Sequence, residues 1–470
     1  MTLKTFKLPI NGDFLDTAET FEVINPATGK PFATCPLPSS KQIDAIIGAA
    51  EDAQKKWWAL EDQERRKLLV ACADSLDEHV EDIAILLSKE QGKPIKDAKR
   101  EVKGVPAYFR MIAESPIEDN LVTDSAKAQT KVTHKPLGVV GAISAWNYPL
   151  ALAAWKIAPA LLTGNSAVLK PSPDTPLSSL KLVTHLQKVL PEGLVGIVTG
   201  FEKEGEQLVT HPAVSKVSFT GSTGVGRIIN ESASPDLKRV TLELGGNDAA
   251  IVLKDADPKA IAKAIFDSGF VNCGQTCIAI KRVFVHESIH DELVAEVTKL
   301  ATGAKIGDGL DPETHFGPLA NARQRQHVEA LVEDAKAKGA KIHCGGEKGE
   351  GEGFFYKITV VSGVKEGVRI VDEEQFGPVL PFLSFKDEQD AIERANKTEY
   401  GLGGSIWTKD ISKGESLASQ LECGTAWVNQ HASLDMKAPF GGAKSSGLGV
   451  EHGKEGLLAF TQKQVISTKL

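Results

Sequence analysis

The chain has 470 residues and a formal net charge of −8, from 54 Lys and Arg against 62 Asp and Glu. A single hydrophobic core rarely grows beyond roughly 250–300 residues, so this length predicts two large domains. With 41% hydrophobic and 25% charged residues, the composition is that of an ordinary globular protein. The weakly acidic balance argues against a nucleic-acid partner.

Cellular location and redox state are indicated by features that the sequence lacks. The first ten residues have no signal-peptide apolar core, and no stretch approaches the roughly 20 apolar residues of a membrane span. We therefore predict a cytoplasmic protein with no membrane partner. Six cysteines are too few for a disulfide framework. Cys273 and Cys277 lie four residues apart without a second pair or a histidine cluster, so no metal site is expected.

The first part of the chain has helical periodicity. Ile43, Ile46 and Ile47 recur at helical spacing behind a candidate N-cap at Ser39 or Ser40. The segment 61–89 repeats this pattern and presents one apolar face. Both segments predict a helical N-terminal region.

From residue 138 onward, short apolar strands alternate with helices. Strands are predicted at 138–145, 166–170, 194–199, 214–219 and 240–244, with helices at 150–162, 176–190, 204–210 and 224–233 between them. Such alternation is typical of a parallel sheet covered by helices on both faces. Ligands commonly bind beyond the carboxyl ends of such strands.

A second alternating block follows residue 247. Its predicted elements are strands at 249–253, 282–285 and 423–429 and a helix at 322–338, which indicate a second α/β domain. The segments 118–135 and 462–470 resemble exposed strands, and exposed strands invite pairing with another subunit.

Cys277 is the candidate nucleophile. It follows Gly274-Gln275-Thr276, and a glycine there allows close backbone approach. A thiolate attacks carbonyl carbon when a base or a local field lowers its pKa, and Glu243 is the candidate carboxylate. Burial of the cysteine as a small hydrophobe is the alternative, as is a structural ion pair of Glu243 with Lys238 or Arg239.

Other candidates follow predicted strands. The amide of Asn147 suits a developing oxyanion, although an Asn before Tyr-Pro also suits a turn. Lys170 ends a strand and suits a ribose hydroxyl or a phosphate, although a solvated strand-end lysine is common. The segment 219–226 runs from a strand into a helix with the spacing G-x-x-G-x-G, which is weak evidence for a dinucleotide. Glu374 is either a ligand-binding acid or a solvated loop residue.

Taken together, these segments resemble the aldehyde dehydrogenase superfamily over nearly the whole chain. The motifs occur in the family's order: Trp146-Asn147-Tyr148-Pro149, Lys170-Pro171-Ser172, Phe219-Thr220-Gly221-Ser222-Thr223, Leu242-Glu243-Leu244-Gly245-Gly246-Asn247, Gly274-Gln275-Thr276-Cys277, Glu374-Gln375-Phe376-Gly377-Pro378 and Pro439-Phe440-Gly441-Gly442. Chance agreement at seven ordered motifs is negligible.

The resemblance implies a catalytic role for four residues, namely Cys277, Glu243, Asn147 and Lys170. Cys277 attacks the aldehyde, and Asn147 with the Cys277 backbone N–H holds the resulting oxyanion. Glu243 activates the water that hydrolyses the thioester. Glu451 matches a second acid behind this base and is assigned to proton relay.

The resemblance also implies a cofactor site for NAD or NADP. Lys170 and Glu374 are expected to hold the two ribose hydroxyl pairs, and the turn at Gly221 and Ser222 is expected to face the pyrophosphate. The full set of implied cofactor contacts is Ser144, Ala145, Trp146, Asn147, Lys170, Ser172, Pro173, Gly205, Phe219, Gly221, Ser222, Gly226, Leu244, Gly245, Glu374 and Phe376.

Two departures from the family pattern bear on the cofactor. Pro173 stands where many NAD-preferring members carry a Glu that repels a 2′-phosphate, so the resemblance permits NADP. Ala145 replaces a common Pro before Trp146, which changes little because Asn147 and its neighbours remain.

Positions that line the family's aldehyde tunnel hold Tyr148, Trp155, Ile278, Leu434 and Phe440. This lining suits apolar or aromatic aldehydes, although aromatic side chains there also suit a plain core. Succinate-semialdehyde members tend to carry an Arg where Trp155 stands, so a substrate with a carboxylate is disfavoured.

Two other functions compete with this interpretation. A CoA-acylating aldehyde dehydrogenase generally lacks the general base, whereas Glu243 is present. A crystallin-like or scaffold protein of the same fold need not retain Cys277, Glu243 and Asn147 together.

The predicted fold class is α/β, with a Rossmann-type cofactor domain, an α/β catalytic domain and a small β oligomerisation element. The predicted boundaries are 1–117 and 136–246 for the cofactor domain, 247–445 for the catalytic domain, and 118–135 with 446–470 for the third element. The resemblance implies a homodimer or a homotetramer.

Overall fold

A computed structural model of the chain describes residues 3–10 and 13–470. The helices within these residues are α1 Ser40–Trp58, α2 Asp62–Asp77, α3 Val80–Gln91, α4 Ile95–Glu114, α5 Pro149–Leu162, α6 Pro176–Gln187, α7 Glu202–Thr210, α8 Thr223–Ala233, α9 Pro258–Phe270, α10 His290–Thr302, α11 Ala322–Ala337, α12 Arg369–Asp372, α13 Glu388–Asn396, α14 Ile411–Ala418 and α15 Gly453–Leu458. No helix in this part of the chain is both long and apolar enough to cross a membrane.

The strands occupy much of the remaining described chain. They are β1 Lys4–Thr5, β2 Leu8–Ile10, β3 Asp13–Leu15, β4 Glu19–Asn25, β5 Lys30–Leu37, β6 Asn120–Asp124, β7 Ala128–Pro136, β8 Val139–Ile143, β9 Ser166–Lys170, β10 Val195–Ile197, β11 Val214–Thr220, β12 Arg239–Glu243, β13 Ala249–Val252, β14 Arg282–His286, β15 Lys341–Cys344, β16 Thr359–Ser362, β17 Val379–Phe385, β18 Tyr400–Gly401, β19 Gly403–Trp407, β20 Thr425–Val428, β21 Ala443–Lys444, β22 Gly447–Leu448 and β23 Thr461–Lys469.

The first large sheet has the strand order β10-β9-β8-β11-β12-β22. Its strands are parallel except for β22, which pairs antiparallel with β12. Every residue of β8 and β9 is buried, as expected of strands covered on both faces. Helices α1, α5, α6 and α7 pack against this sheet. The carboxyl ends of β8, β9, β11 and β12 therefore meet at one edge, where the motif residues follow.

The second large sheet has the order β15-β16-β17-β14-β13-β19-β20 and is parallel apart from the β15–β16 pair. The predicted α/β fold class, with two large and mostly parallel sheets, is confirmed. A 3-10 turn at Val271–Gly274 follows α9 and leads into the Cys277 segment. The candidate nucleophile therefore lies in the part of the chain that forms the second sheet.

A third sheet, in the order β23-β7-β6, is antiparallel. Strand β6 is exposed at every residue, and β23 is exposed at nearly every residue. The predicted strand character of 118–135 and 462–470 is thus present. The domain boundaries stay a prediction, and Gly447–Leu448 pairs with the first sheet although it lies within the segment assigned to the third element.

The N-terminal region differs from its prediction in two ways. Strands β1, β4 and β5 form a sheet before α1, and the segment 61–89 breaks into two helices at Glu78 and His79. The start of α1 agrees, because Ser39 and Gln42 form a capping box there. Helix α4 was not predicted.

Candidate active site

Cys277 lies in a tightly folded segment after α9. Asn272 and Cys273 have φ of 51° and 60°, in the left-handed region that side chains other than Gly seldom adopt. Gly274 has φ 74°, and a Cβ on it would collide with the backbone of Gly377. The predicted close backbone approach is therefore present, and the glycine lets the Cys277 segment pack against the Glu374–Pro378 loop.

The Cys277 side chain is half-buried and packs in one apolar cluster with Ile278, Leu434 and Phe440. Burial raises the pKa of the thiol to about 12, while the charge of Lys281 lowers it. A thiol in such a place needs neighbouring groups to favour its thiolate.

Asn147 follows β8 and is buried. Its Nδ2 donates a hydrogen bond of 3.0 Å to the carbonyl oxygen of Gln275, two residues before the nucleophile. The Asn147 backbone oxygen accepts hydrogen bonds from Lys93 Nζ at 2.8 Å and Asn272 Nδ2 at 3.1 Å. The fold therefore brings the predicted oxyanion donor to the Cys277 segment.

Glu243 ends β12 and is 3% exposed. Neither carboxylate oxygen has a hydrogen-bond partner among the described residues. Burial, together with the negative charge of Glu451, raises the pKa of Glu243 well above its usual range, and Lys156 opposes this. A buried acid without partners costs stability and is typical of a functional site.

Lys156 and Glu451 form a buried ion pair, and both charges act on the pKa of Glu243. Of the two residues, only Glu451 was predicted from the sequence. Lys156 Nζ donates to Glu451 Oε1 and to Thr220 Oγ1, each at 2.7 Å. Ser218 Oγ adds a longer hydrogen bond of 3.4 Å to Glu451. Lys156 was missed, although a single lysine within the otherwise apolar helix α5 is a signal that could have identified it.

Lys170 and its surroundings match a dinucleotide site. Its Nζ donates to the Gly200 carbonyl oxygen at 2.7 Å and to that of Pro171 at 3.2 Å. Burial lowers the pKa of Lys170 to about 8. A Cβ on Gly205 would lie 3.5 Å from Lys170 Cε, at ordinary van der Waals contact, so this glycine lies beside the lysine. Ser172 and Pro173 are half-buried beside it.

Three glycines make room for other predicted cofactor contacts. A Cβ on Gly245 would approach Glu374 Oε2 at 2.5 Å, and one on Gly226 would approach Leu244 Cδ2 at 2.5 Å. A Cβ on Gly221 would enter the Phe219 ring. Each collision involves a predicted cofactor residue, so these glycines let Glu374, Leu244 and Phe219 pack closely against the backbone.

Other cofactor candidates contact one another or lie at the start of α8. Trp146 and Phe376 meet edge to face with ring centroids 5.2 Å apart, and Phe376 has a positive φ of 47°. Ser222 is the exposed N-cap of helix α8 and accepts from Val225 N, and the other free N–H groups of a helix N-terminus can receive an anion. Ser144 is buried with no hydrogen-bond partner for its hydroxyl among the described residues, and Ala145 is half-buried.

Glu374 accepts a hydrogen bond of 3.1 Å from Gly246 N. Burial raises its pKa to about 7, and the charge of Lys281 acts against this. The predicted residues, the unpartnered Ser144 hydroxyl and the closely packed glycines fit a dinucleotide.

A cavity of about 500 Å³ opens beside Tyr148 and Trp155, two of the residues predicted to contact the substrate. Tyr108, Ala151 and Met436, which were not predicted, also line it, as do the charged residues Lys93, Asp97, Arg100 and Glu101. Tyr148 Oη lies 3.2 Å from Thr276 Oγ1, and this links the cavity wall to the nucleophile segment. The other predicted substrate residues, Ile278, Leu434 and Phe440, lie in the apolar cluster with Cys277.

Comparisons with known proteins show the family over nearly the whole chain. The sequence model of the aldehyde dehydrogenase family matches residues 14–466. Retinaldehyde dehydrogenase 3 of Rattus norvegicus is 38% identical over all of this chain and 94% of its own length. Betaine aldehyde dehydrogenase of Bacillus subtilis (strain 168) is 37% identical over 96% of this chain and 95% of its own.

Solved structures are similar over the same extent. The NAD+ complex of an aldehyde dehydrogenase from Bacillus cereus has a TM-score of 0.97 at 36% identity, covering 99% of this chain and 97% of its own. An NADP-dependent enzyme of E. coli has a TM-score of 0.96 at 36% identity, covering 99% and 98%. The chain belongs to the aldehyde dehydrogenase family and is an NAD(P)-dependent oxidoreductase.

Proposed function

We propose that the chain oxidises an apolar or aromatic aldehyde to the carboxylic acid through a covalent adduct on Cys277. The observation that carries this proposal is the hydrogen bond from Asn147 Nδ2 to the Gln275 carbonyl oxygen, because it brings the oxyanion donor to the nucleophile segment. The buried and unpartnered Glu243 supports the hydrolytic half of the reaction.

In the first half-reaction, the Cys277 thiol has lost its proton to solvent, and the thiolate sulfur forms a bond to the aldehyde carbon while the C=O π pair moves to the oxygen as a negative charge. The amide of Asn147 and the backbone N–H of Cys277 donate hydrogen bonds to this oxygen. Asn147 Nδ2 carries two N–H groups, of which its bond to Gln275 occupies one. When bound, the oxidised dinucleotide supplies the hydride acceptor, and the adduct on Cys277 becomes a thioester.

In the second half-reaction, Glu243 takes a proton from water as the water oxygen attacks the thioester carbon. The C–S bond then breaks, the acid leaves and Cys277 regains its thiol. The raised pKa of Glu243 suits this role, because it makes the carboxylate a stronger base toward water than an exposed Glu. Glu451 is the proposed next acceptor of this proton.

The cofactor is NAD or NADP, and Lys170, Glu374 and the N-terminus of α8 are the groups that would hold it. Because Pro173 places no carboxylate beside Lys170, we propose that NADP is accepted as well as NAD. A matrix of aldehydes against both cofactors tests this choice and the substrate class together.

The substrate class follows from the cavity wall. Tyr148, Trp155, Tyr108 and Met436 offer apolar and aromatic surface. The two cations that also line the cavity, Lys93 and Arg100, are paired with Glu101 and Asp97, whereas a substrate carboxylate would need an unpaired cation. Benzaldehyde-like or medium aliphatic aldehydes should therefore exceed succinate semialdehyde in kcat/KM. The reverse ranking would remove this part of the proposal.

The covalent mechanism has its own test. Purified protein should reduce the nicotinamide cofactor with an aldehyde, and Cys277→Ala should abolish this, whereas a non-catalytic scaffold protein would show no reduction. Added CoA should neither raise turnover nor yield acyl-CoA, since hydrolysis by Glu243 makes a thiol acceptor unnecessary.

We further propose that the sheet formed by β6, β7 and β23 mediates assembly into a homodimer or a homotetramer. Its exposed apolar residues include Leu121, Val122 and Val465, and the outer edges of β6 and β23 have no further strand partner among the described residues. A mass in solution equal to one 50.3 kDa chain would contradict assembly.

A further inference from the structure

Lys281 lies four residues after the nucleophile and is 2% exposed. Its ammonium group donates to the backbone carbonyl oxygens of Thr276, of Cys277 at 3.3 Å and of Ala279 at 3.5 Å. A buried ammonium group has three donors to satisfy, and here they all point to the segment that carries the nucleophile. This lysine therefore fixes the backbone on both sides of Cys277.

The placement of Lys281 is itself fixed from three sides. Its backbone N–H donates to the Asp248 carbonyl oxygen at 2.9 Å, and its own carbonyl oxygen accepts from Gln375 Nε2 at 3.2 Å. Its ammonium group also lies 5.6 Å from the centre of the Phe376 ring, a distance at which a cation is attracted to an aromatic face. Such a side chain cannot swing into solvent.

We propose that Lys281 is a positioning residue for Cys277. Its ammonium group holds the carbonyl oxygens of the nucleophile segment by hydrogen bonds and supplies the positive charge that favours the thiolate. This inference rests on the proposed role of Cys277 as the nucleophile.

The charges around the thiol support this assignment. Among the charged groups with the largest effect on the pKa of Cys277, Lys281 lowers it, whereas Glu374, Asp248 and Glu243 raise it. The three carboxyl groups and burial all disfavour the thiolate. Since an opposite charge nearby shifts a pKa by about 1–3 units, removal of Lys281 takes away the positive charge that opposes these groups.

The test measures alkylation of Cys277 by iodoacetamide against pH, with the modified residue identified by mass spectrometry. Lys281→Met removes both the charge and the hydrogen bonds, whereas Lys281→Gln keeps a donor and removes only the charge. In both variants we expect the midpoint of the alkylation profile to rise by about 1 unit or more, and the rate at pH 8 to fall about 10-fold. Lys299→Met is the control, because Lys299 is an exposed lysine on α10. Its alkylation profile should match that of the unaltered protein.

An unchanged midpoint in both neutral variants would overturn the proposal. Since loss of a buried lysine can prevent folding, Lys281→Arg serves as the second variant. It keeps the positive charge, so the midpoint of its alkylation profile should stay within about 0.3 pH unit of that of the unaltered protein. Its planar guanidinium cannot donate to the three carbonyl oxygens from one point, so kcat should fall about 10-fold. Wild-type kcat in Lys281→Arg would refute the positioning role. If Cys277→Ser retains full activity instead, the proposed nucleophile fails, and this result is distinct from a failure at Lys281.

Discussion

The ammonium group of Lys93 donates a hydrogen bond of 2.8 Å to the backbone carbonyl oxygen of Asn147. The same group forms a buried ion pair of 2.5 Å with Glu101. Glu101 Oε1 in turn accepts from Leu150 N at 3.0 Å and from Ala151 N at 3.3 Å, at the start of α5. The oxyanion donor thus lies between a lysine that holds its backbone and a carboxylate that caps the helix after it.

We therefore expect Lys93→Met to lower kcat by about 10–100-fold, because a small displacement of Asn147 misplaces its amide relative to the oxyanion. The substitution leaves Glu101 as an unpaired buried charge, so stability should fall by about 3–5 kcal/mol. Steady-state kinetics at saturating aldehyde and thermal unfolding measure the two effects. Lys99→Met, at a more exposed lysine on α4, the helix that carries Glu101, should leave both unchanged. A wild-type kcat in Lys93→Met would refute the coupling.

Glu243→Gln separates the two half-reactions. The variant cannot take a proton from water, so the thioester should accumulate, and steady-state turnover should fall about 10²–10⁴-fold. Rapid mixing should still show a burst of about one reduced nicotinamide per active site, because the first half-reaction does not use this carboxylate. Loss of the burst along with turnover would mean that Glu243 acts before hydride transfer.

Glu243→Gln should also change how the stability of the protein depends on pH. The folded protein raises the pKa of Glu243 above its ordinary 4.5, so the native state holds a proton that the unfolded state has released. Stability therefore decreases as pH rises from about 4.5 through the folded pKa. Because Gln carries no charge, Glu243→Gln should raise Tm more at pH 8 than at pH 5. An equal change in Tm at both pH values would show that the carboxyl group is not perturbed.

Much of the first sheet could be predicted from the sequence, because β8 and β9 are short apolar runs bounded by turn residues. The motif residues were predictable for a similar reason, since they follow the carboxyl ends of such strands. The break at Glu78 and His79 was not, because the apolar periodicity continues across it and neither residue is a strong helix terminator.

The supporting charges could not be predicted from local patterns. Lys156 pairs with Glu451, 295 residues further along the chain, and Lys93 reaches Asn147 across 54 residues. A local pattern shows that a lysine lies within an apolar helix, but not which carboxylate the fold brings to it. Lys281 was missed because three backbone carbonyls, which carry no sequence signal, are its partners.

Cofactor preference can be tested at Pro173. In Pro173→Glu, a carboxylate beside Lys170 would repel a 2′-phosphate, so kcat/KM with NADP should fall at least 10-fold, a change of about 1.4 kcal/mol, while the value with NAD stays within about 3-fold. Pro173→Gln is the matched control, because Gln has the shape of Glu without its charge. It should not change the ratio of kcat/KM with NADP to kcat/KM with NAD. Equal losses with both cofactors in Pro173→Glu would show that the change affects the fold of the loop rather than phosphate recognition.

The width of the substrate cavity can be tested at Ala151, which lines it and is half-buried. A Phe at this position would fill part of the space of about 500 Å³ without removing a hydrogen bond, because only the backbone of Ala151 bonds to Glu101. We expect Ala151→Phe to lower kcat/KM for an aromatic aldehyde at least 10-fold, since overpacking costs about 1–3 kcal/mol. For acetaldehyde, kcat/KM should change by less than about 3-fold, and Ala151→Ser should change neither value. If kcat/KM for acetaldehyde falls as much as kcat/KM for the aromatic aldehyde, the cavity is not the path by which large aldehydes reach Cys277.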